Sequence, residues 1–168
     1  MSDIVNDSNY VNFTLPRYSE IPNVGLFLEQ VSKYINEILS PLGEADLTGS
    51  MISNYVKKGI IDNPVKKQYG REQIAHLIYI ALAKTVLSLE DINTMLSLQK
   101  ETYDTESAYE YFRQEFADIL RTVFEHKDIA ASGADAELKQ LSKNISVTIA
   151  HKIYLDRIFR DIREHEEK

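Results

Sequence analysis

Apolar residues recur along most of this chain at steps of three and four, the spacing that gathers them on one face of an α-helix. Over residues 24 to 39, Leu28, Val31, Ile35, Ile38 and Leu39 form such a stripe, and Pro41 ends it because its ring cannot continue the helical backbone. Thr48 is the predicted N-cap of a short helix reaching about residue 58, and Gly59 suits the left-handed position just past its end. The next stretch, IIDNPVKKQY, sets an Asp-Asn-Pro turn between two segments able to extend, which predicts a small β-hairpin. Gly70 then opens an apolar helix through Ile74, Leu77, Ile78, Ala81, Leu82 and Val86, with Gln73 placed to reach back to its start. Ser88 and Asp91 repeat that arrangement ahead of a helix over about residues 89 to 98, whose buried face is Ile92, Met95 and Leu96.

Two longer patterns follow. Tyr109, Phe112, Phe116, Ile119 and Val123 mark a helix over about residues 106 to 126. Leu138, Leu141, Ile145 and Ile149, resumed by Leu155, Ile158 and Ile162, mark another over about 134 to 164. The two are expected to fold back as an antiparallel hairpin across DIAASGADA. No stretch alternates long enough for a larger sheet, so the expected class is mainly α. Residues 1–14, rich in Asn, Asp and Ser at their start, read as a flexible tail. The expected organisation is that tail, a domain over 15–100, and a C-terminal helical hairpin over 101–168 for dimerisation or effector binding.

Charge changes this picture more than composition does. The 168 residues carry a formal charge of −7, which argues against a protein that coats nucleic acid indiscriminately. The charge is uneven: residues 48 to 73 sum to +3 through Lys57, Lys58, Lys66, Lys67 and Arg71 against Asp62 and Glu72. A helix, a tight connection, a short polar helix and a hairpin bearing a Lys pair make a winged helix-turn-helix in outline. Ser50, Ser53, Asn54 and Lys57 then point together into a major groove, Asn matching an adenine edge, while Lys58, Lys66, Lys67 and Arg71 meet phosphates. The absence of cysteine removes disulfides, cysteine-bound metals and thiol chemistry. The polar, acidic start and the lack of a long apolar run lead us to expect a cytoplasmic protein that makes no membrane contact.

The stretch LTGSMISNYVKKGIIDNPVKKQYGREQIAHLIYIALAKTVLSLEDINTML resembles the DNA-binding domain of MerR-type regulators. The matching residues are Tyr55, Gly59, Ile60 and Ile61, then Lys67 with Tyr69, then Ser88, Leu89, Glu90, Asp91 and Ile92. Over about residues 15 to 100 the chain resembles more closely an uncharacterised bacterial family of unassigned function grouped with MerR-like folds. The resemblance implies a winged helix that binds duplex DNA as a homodimer and senses an effector through its C-terminal helices. Where MerR proteins carry Arg-Tyr-Tyr in the recognition helix, this chain has Ser53, Asn54 and Tyr55.

Other chemistry finds little support. His76, His126, His151 and His165 lie in separate segments without metal-ligand spacing, and His76 is expected to pair with Glu72 on a helix face. There is no phosphate loop and no nucleophile elbow, so neither an enzyme nor a cofactor is expected. Tyr103, Tyr109, Phe112 and Phe116 are either core or the seam of a dimer or effector pocket. Two functions follow: a DNA-binding transcriptional regulator, or a protein–protein adaptor that keeps the same fold and binds its partner through the C-terminal helices.

Overall fold

The computed structural model describes residues 8–43, 46–130 and 137–166. In chain order its longer elements are α1 (Ser8–Val11), β1 (Leu26–Phe27), α2 (Leu28–Leu39), α3 (Gly49–Lys57), β2 (Gln68–Tyr69), α4 (Arg71–Ala83), α5 (Leu89–Thr102), α6 (Thr105–Phe124) and α7 (Glu137–Glu166). The fold is mainly helical, and the described residues divide into two units. One is Leu15–Arg113; the other takes residues 8–14 and 114–166.

In the first unit α2 starts four residues later than expected, because Leu26 and Phe27 are drawn into a strand. Gln30 Oε1 accepts the Phe27 amide at 2.9 Å and starts the helix there. Val31, Ile35 and Leu39 are buried as the spacing predicts. Two polar residues of the same helix hold the following turn. Asn36 brackets Leu47, its Nδ2 donating to the Leu47 carbonyl and its Oδ1 accepting the Leu47 amide, both at 2.9 Å. Ser32 Oγ donates to that carbonyl as well, at 2.6 Å. Thr48 Oγ1 then accepts the Met51 amide at 3.2 Å and caps α3 as predicted. Gly59, with φ +73, ends it, and the Ile60 amide returns to the Tyr55 carbonyl at 2.9 Å.

The expected hairpin is pieced together differently. A tight turn at Lys66 and Lys67 joins Val65 to Gln68, but β2 finds its ladder partner in β1, with Leu26 opposite Tyr69 and Phe27 opposite Gln68. Tyr69 anchors this small sheet in the core. Gln73 Oε1 accepts the Gly70 amide at 2.8 Å, the predicted reach back, and starts α4. Every residue from Ile74 to Ala83 except Tyr79 is buried, so α4 is the central helix of the unit. α5 outlasts its predicted end at 98 because Gln99, a polar residue that interrupts the apolar stripe, is buried and donates from Nε2 to the Tyr103 carbonyl at 2.9 Å. That bond turns Gln99 Oε1 toward His76 Nε2, 3.2 Å away, so His76 donates there. His76 is therefore not the surface partner of Glu72; burial, aided by the charge of Lys100, pushes its pKa below 6.5.

The expected boundary at residue 100 gives way to Arg113 because the first turns of α6 hold the LPRYSEIP segment. Tyr109 donates its hydroxyl to the Pro16 carbonyl at 2.8 Å, and the Tyr18 amide donates to Glu110 Oε1 at 2.6 Å. Burial opposes the charge on Glu110, but the bonds from Arg113 and the Tyr18 amide outweigh it and hold the carboxyl below its ordinary range. Phe112 packs edge-on against Tyr79, with ring centroids 5.0 Å apart.

The second unit corrects two expectations. Residues 8–14 are not a tail: Tyr10 and Phe13 are buried, Tyr10 stacked on Phe124 at 4.3 Å and Phe13 edge-on to Phe116 at 6.4 Å. Polar neighbours masked those two aromatics in the composition; the expectation for residues 1–7 lies outside the described residues. The C-terminal helices are not an antiparallel hairpin either. Glu115 accepts from Ser142 at 3.3 Å and Ser146 at 3.4 Å, while Phe124 meets Tyr154 at 5.4 Å, so position advances along α6 and α7 in the same direction. The connection between Phe124 and Glu137 has twelve residues. Extended, it reaches about 40 Å, enough to return along a 20-residue helix of about 30 Å. The glycine-marked turn expected at DIAASGADA falls largely outside the described residues.

Candidate nucleic-acid interface

The sequence assigns contact roles to eight residues, and the first unit holds all of them. On α3, Ser50, Ser53, Asn54 and Lys57 are exposed, one turn apart on a common face, while Ile52 and Tyr55 are buried beneath them. Thr48 at its start and the Asn36 clamp on Leu47 fix where this helix begins relative to α2. Lys58 is exposed at its C-cap, where a cation also meets the negative end of the helix dipole.

Lys66 and Lys67 form the two central positions of the turn between Val65 and Gln68, at φ 50 and 63. Reciprocal bonds, Gln68 amide to Val65 carbonyl at 2.9 Å and Val65 amide to Gln68 carbonyl at 3.1 Å, close it. Two successive left-handed residues define the hairpin turn normally filled by Asn-Gly, because side chains with a Cβ resist that backbone. Here two lysines fill it, both exposed to solvent. Among the described residues no carboxylate forms an ion pair with Lys57, Lys58, Lys66 or Lys67. The acid between the two Lys pairs, Asp62, faces Lys100 of α5 at 3.8 Å.

Arg71 has a different task from the phosphate contact expected of it. Its Nε donates to the Ile21 carbonyl at 2.9 Å and an Nη to the Ser19 carbonyl at 3.2 Å, and its guanidinium lies 5.6 Å from the Tyr18 ring centre. It pins the LPRYSEIP segment to the head of α4, and the cationic set contracts to four lysines.

The aromatic residues expected at a dimer seam or effector pocket are core. Tyr109 and Phe112 are 5% exposed and Phe116 is fully buried, so none presents a surface. Tyr103 is half-buried, its backbone bonded to Gln99 at the end of α5. Among the described residues of α7, Leu141, Leu155 and Phe159 are the large apolar side chains left exposed. Sequence reasoning missed Ser32 and Asn36, whose only signal is a polar pair four residues apart beside the apolar stripe of α2.

Among the described residues, no group of three or more His, Cys, Asp and Glu is placed to hold a metal, and no helix is long and apolar enough to cross a membrane. A family model described as a domain of unknown function, DUF1836, matches residues 16–112, nearly the whole of the unit Leu15–Arg113. No curated protein and no solved structure matches the chain.

Proposed function

The chain belongs to the DUF1836 family, a domain of unknown function, and from that premise we propose that its domain is a MerR-like winged helix-turn-helix that binds duplex DNA as a dimeric transcriptional regulator. In this reading α3 is the recognition helix and the Lys66–Lys67 turn is the wing. The reading rests on the order of α2, α3, turn and α4, and above all on one observation. Two lysines are kept in a backbone conformation that glycine or asparagine would adopt more cheaply. A polyanion beside that turn supplies a reason for the positive charge to stay.

Ser53 and Asn54 read base edges in the major groove, with Ser50 and Lys57 beside them, while Lys58, Lys66 and Lys67 sit on phosphates. The acidic remainder of the chain limits adhesion elsewhere on DNA. The dimer contact moves from the buried aromatics to α7, where exposed Leu141, Leu155 and Phe159 follow one another at steps of fourteen and four, as on a coiled-coil seam. The adaptor alternative, in which the C-terminal helices bind another protein, uses that same exposed face of α7, since Tyr109 and Phe116 are buried.

A mobility-shift titration with the chain's own upstream DNA is the direct test. The expected result is a shift at low salt, weakened for all sequences together when Lys66→Glu and Lys67→Glu are combined. Absence of any shift at low salt rejects the reading.

A further inference from the structure

The wing has two faces, and the outer one is apolar. Directly opposed residues of a β-ladder turn their side chains to the same side of the sheet, and successive residues to opposite sides. Leu26 and buried Tyr69 face the core. On the other side Phe27 opposes Gln68, and Gln68 opposes Val65, so the three form one row beside the Lys66–Lys67 turn. Phe27 is 51% exposed and Val65 74%. Gln68 lies tight over β1: a Cβ on Gly25 would come within 2.6 Å of its Cβ and 2.9 Å of its Oε1. Neighbouring strands about 4.8 Å apart set the two ends of the row on the order of 10 Å from one another.

An exposed Phe and Val next to two unpaired lysines suit an occupant that alternates anionic groups with apolar edges. The area offered, on the order of 300 Å², falls well short of the roughly 800 Å² per partner of a stable protein interface. Duplex DNA has the required alternation, with phosphates along its backbone and, between them, deoxyribose C–H groups, base edges and thymine methyls. Resting on the DNA-binding reading above, we infer that the outer row of the wing is a second DNA-contact surface. Phe27 and Val65 pack on sugar and base edges beside the phosphates held by Lys66 and Lys67, and the Gln68 amide between them exchanges hydrogen bonds with a base edge.

Apolar contact and counterion release respond differently to salt, which separates this surface from the lysines. Phe27→Ser lowers affinity for the upstream duplex about tenfold at every salt concentration, the effect of roughly 55 Å² of apolar area lost from the complex, and leaves the salt slope unchanged. Lys66→Glu with Lys67→Glu flattens the slope instead. Because the chain has no Trp, Phe27→Trp supplies a single fluorophore in the row, and its quenching by acrylamide falls when the duplex is added. Should Phe27→Ser unfold, Val65→Ser serves in its place. If the native chain shifts the duplex while Phe27→Ser binds like it and Phe27→Trp stays equally quenched, the wing-row inference is overturned and the DNA reading stands. If Phe27→Trp becomes protected with rising protein concentration and no DNA, the row is a contact between copies, and the inference is again overturned. If the native chain binds no duplex at low salt, the DNA reading itself has failed.

Discussion

Four side chains carry roles that their residue type does not announce. Arg71 counts as a cation in any charge sum, yet it bonds the Ile21 and Ser19 carbonyls and covers Tyr18. Arg71→Ala should cost about 1–3 kcal/mol in chemical denaturation, since it removes two hydrogen bonds to a charged donor and a cation–π contact. The same variant leaves the salt slope of DNA binding unchanged. Lys66 and Lys67 behave in the reverse way: they add charge and cost stability. Replacing them with Asn and Gly should raise the melting temperature by a few degrees, on the order of 1 kcal/mol, while weakening DNA binding. A melt and a binding isotherm on one sample check both halves. His76 has a folded pKa below the 6.5 of the free side chain, so the unfolded chain takes up its proton first. Its contribution is complete above that pH and is lost as pH falls from 6.5 toward the lower folded value. Unfolding titrations of His76→Gln should show a shallower decline over the same interval.

At the scale of elements, most helices were legible because periodicity and caps agree. Thr48, Gly59, Gln73 and Ser88 each sit where the backbone needs them, and Ser88 Oγ accepts the Asp91 amide at 3.1 Å. Pairing between distant segments was not legible. Nothing in Leu26 and Phe27 announces that they meet Gln68 and Tyr69, since two residues are too few to show alternation. Nor does an aromatic stripe say whether it faces a core or a partner; Tyr109, Phe112 and Phe116 face the core. The direction of α7 escaped for a related reason: a glycine-marked connection suggests a tight turn, but its twelve residues also allow a return along α6. The Asn36 clamp yields a prediction at this scale. Asn36→Ala leaves the Leu47 amide without its side-chain acceptor and should destabilise the first unit by about 1–3 kcal/mol. Because it loosens the placement of α3, DNA affinity falls with no change in salt slope, and denaturation run beside a salt-dependent binding series tests this.

For the whole molecule, net charge is a poor guide to what the surface does. A total of −7 coexists with four lysines that, among the described residues, no carboxylate pairs, in the unit that the family match covers. Counterion release ties the three placed on phosphates, Lys58, Lys66 and Lys67, to an observable: six phosphate contacts in the dimer give a slope near −5.4 in log K against log salt, a loss of roughly 10³-fold between 50 and 200 mM. Reversing Lys66 and Lys67 should bring that slope to about −2 or shallower. The most direct measurement is therefore an anisotropy titration of a labelled duplex from the upstream region with the full chain, at 50 and 200 mM salt, native and doubly reversed. The account predicts binding at the lower salt, a steep loss at the higher, and a flattened dependence in the reversed protein. Binding that is absent at 50 mM, or a slope the two reversals leave untouched, contradicts it.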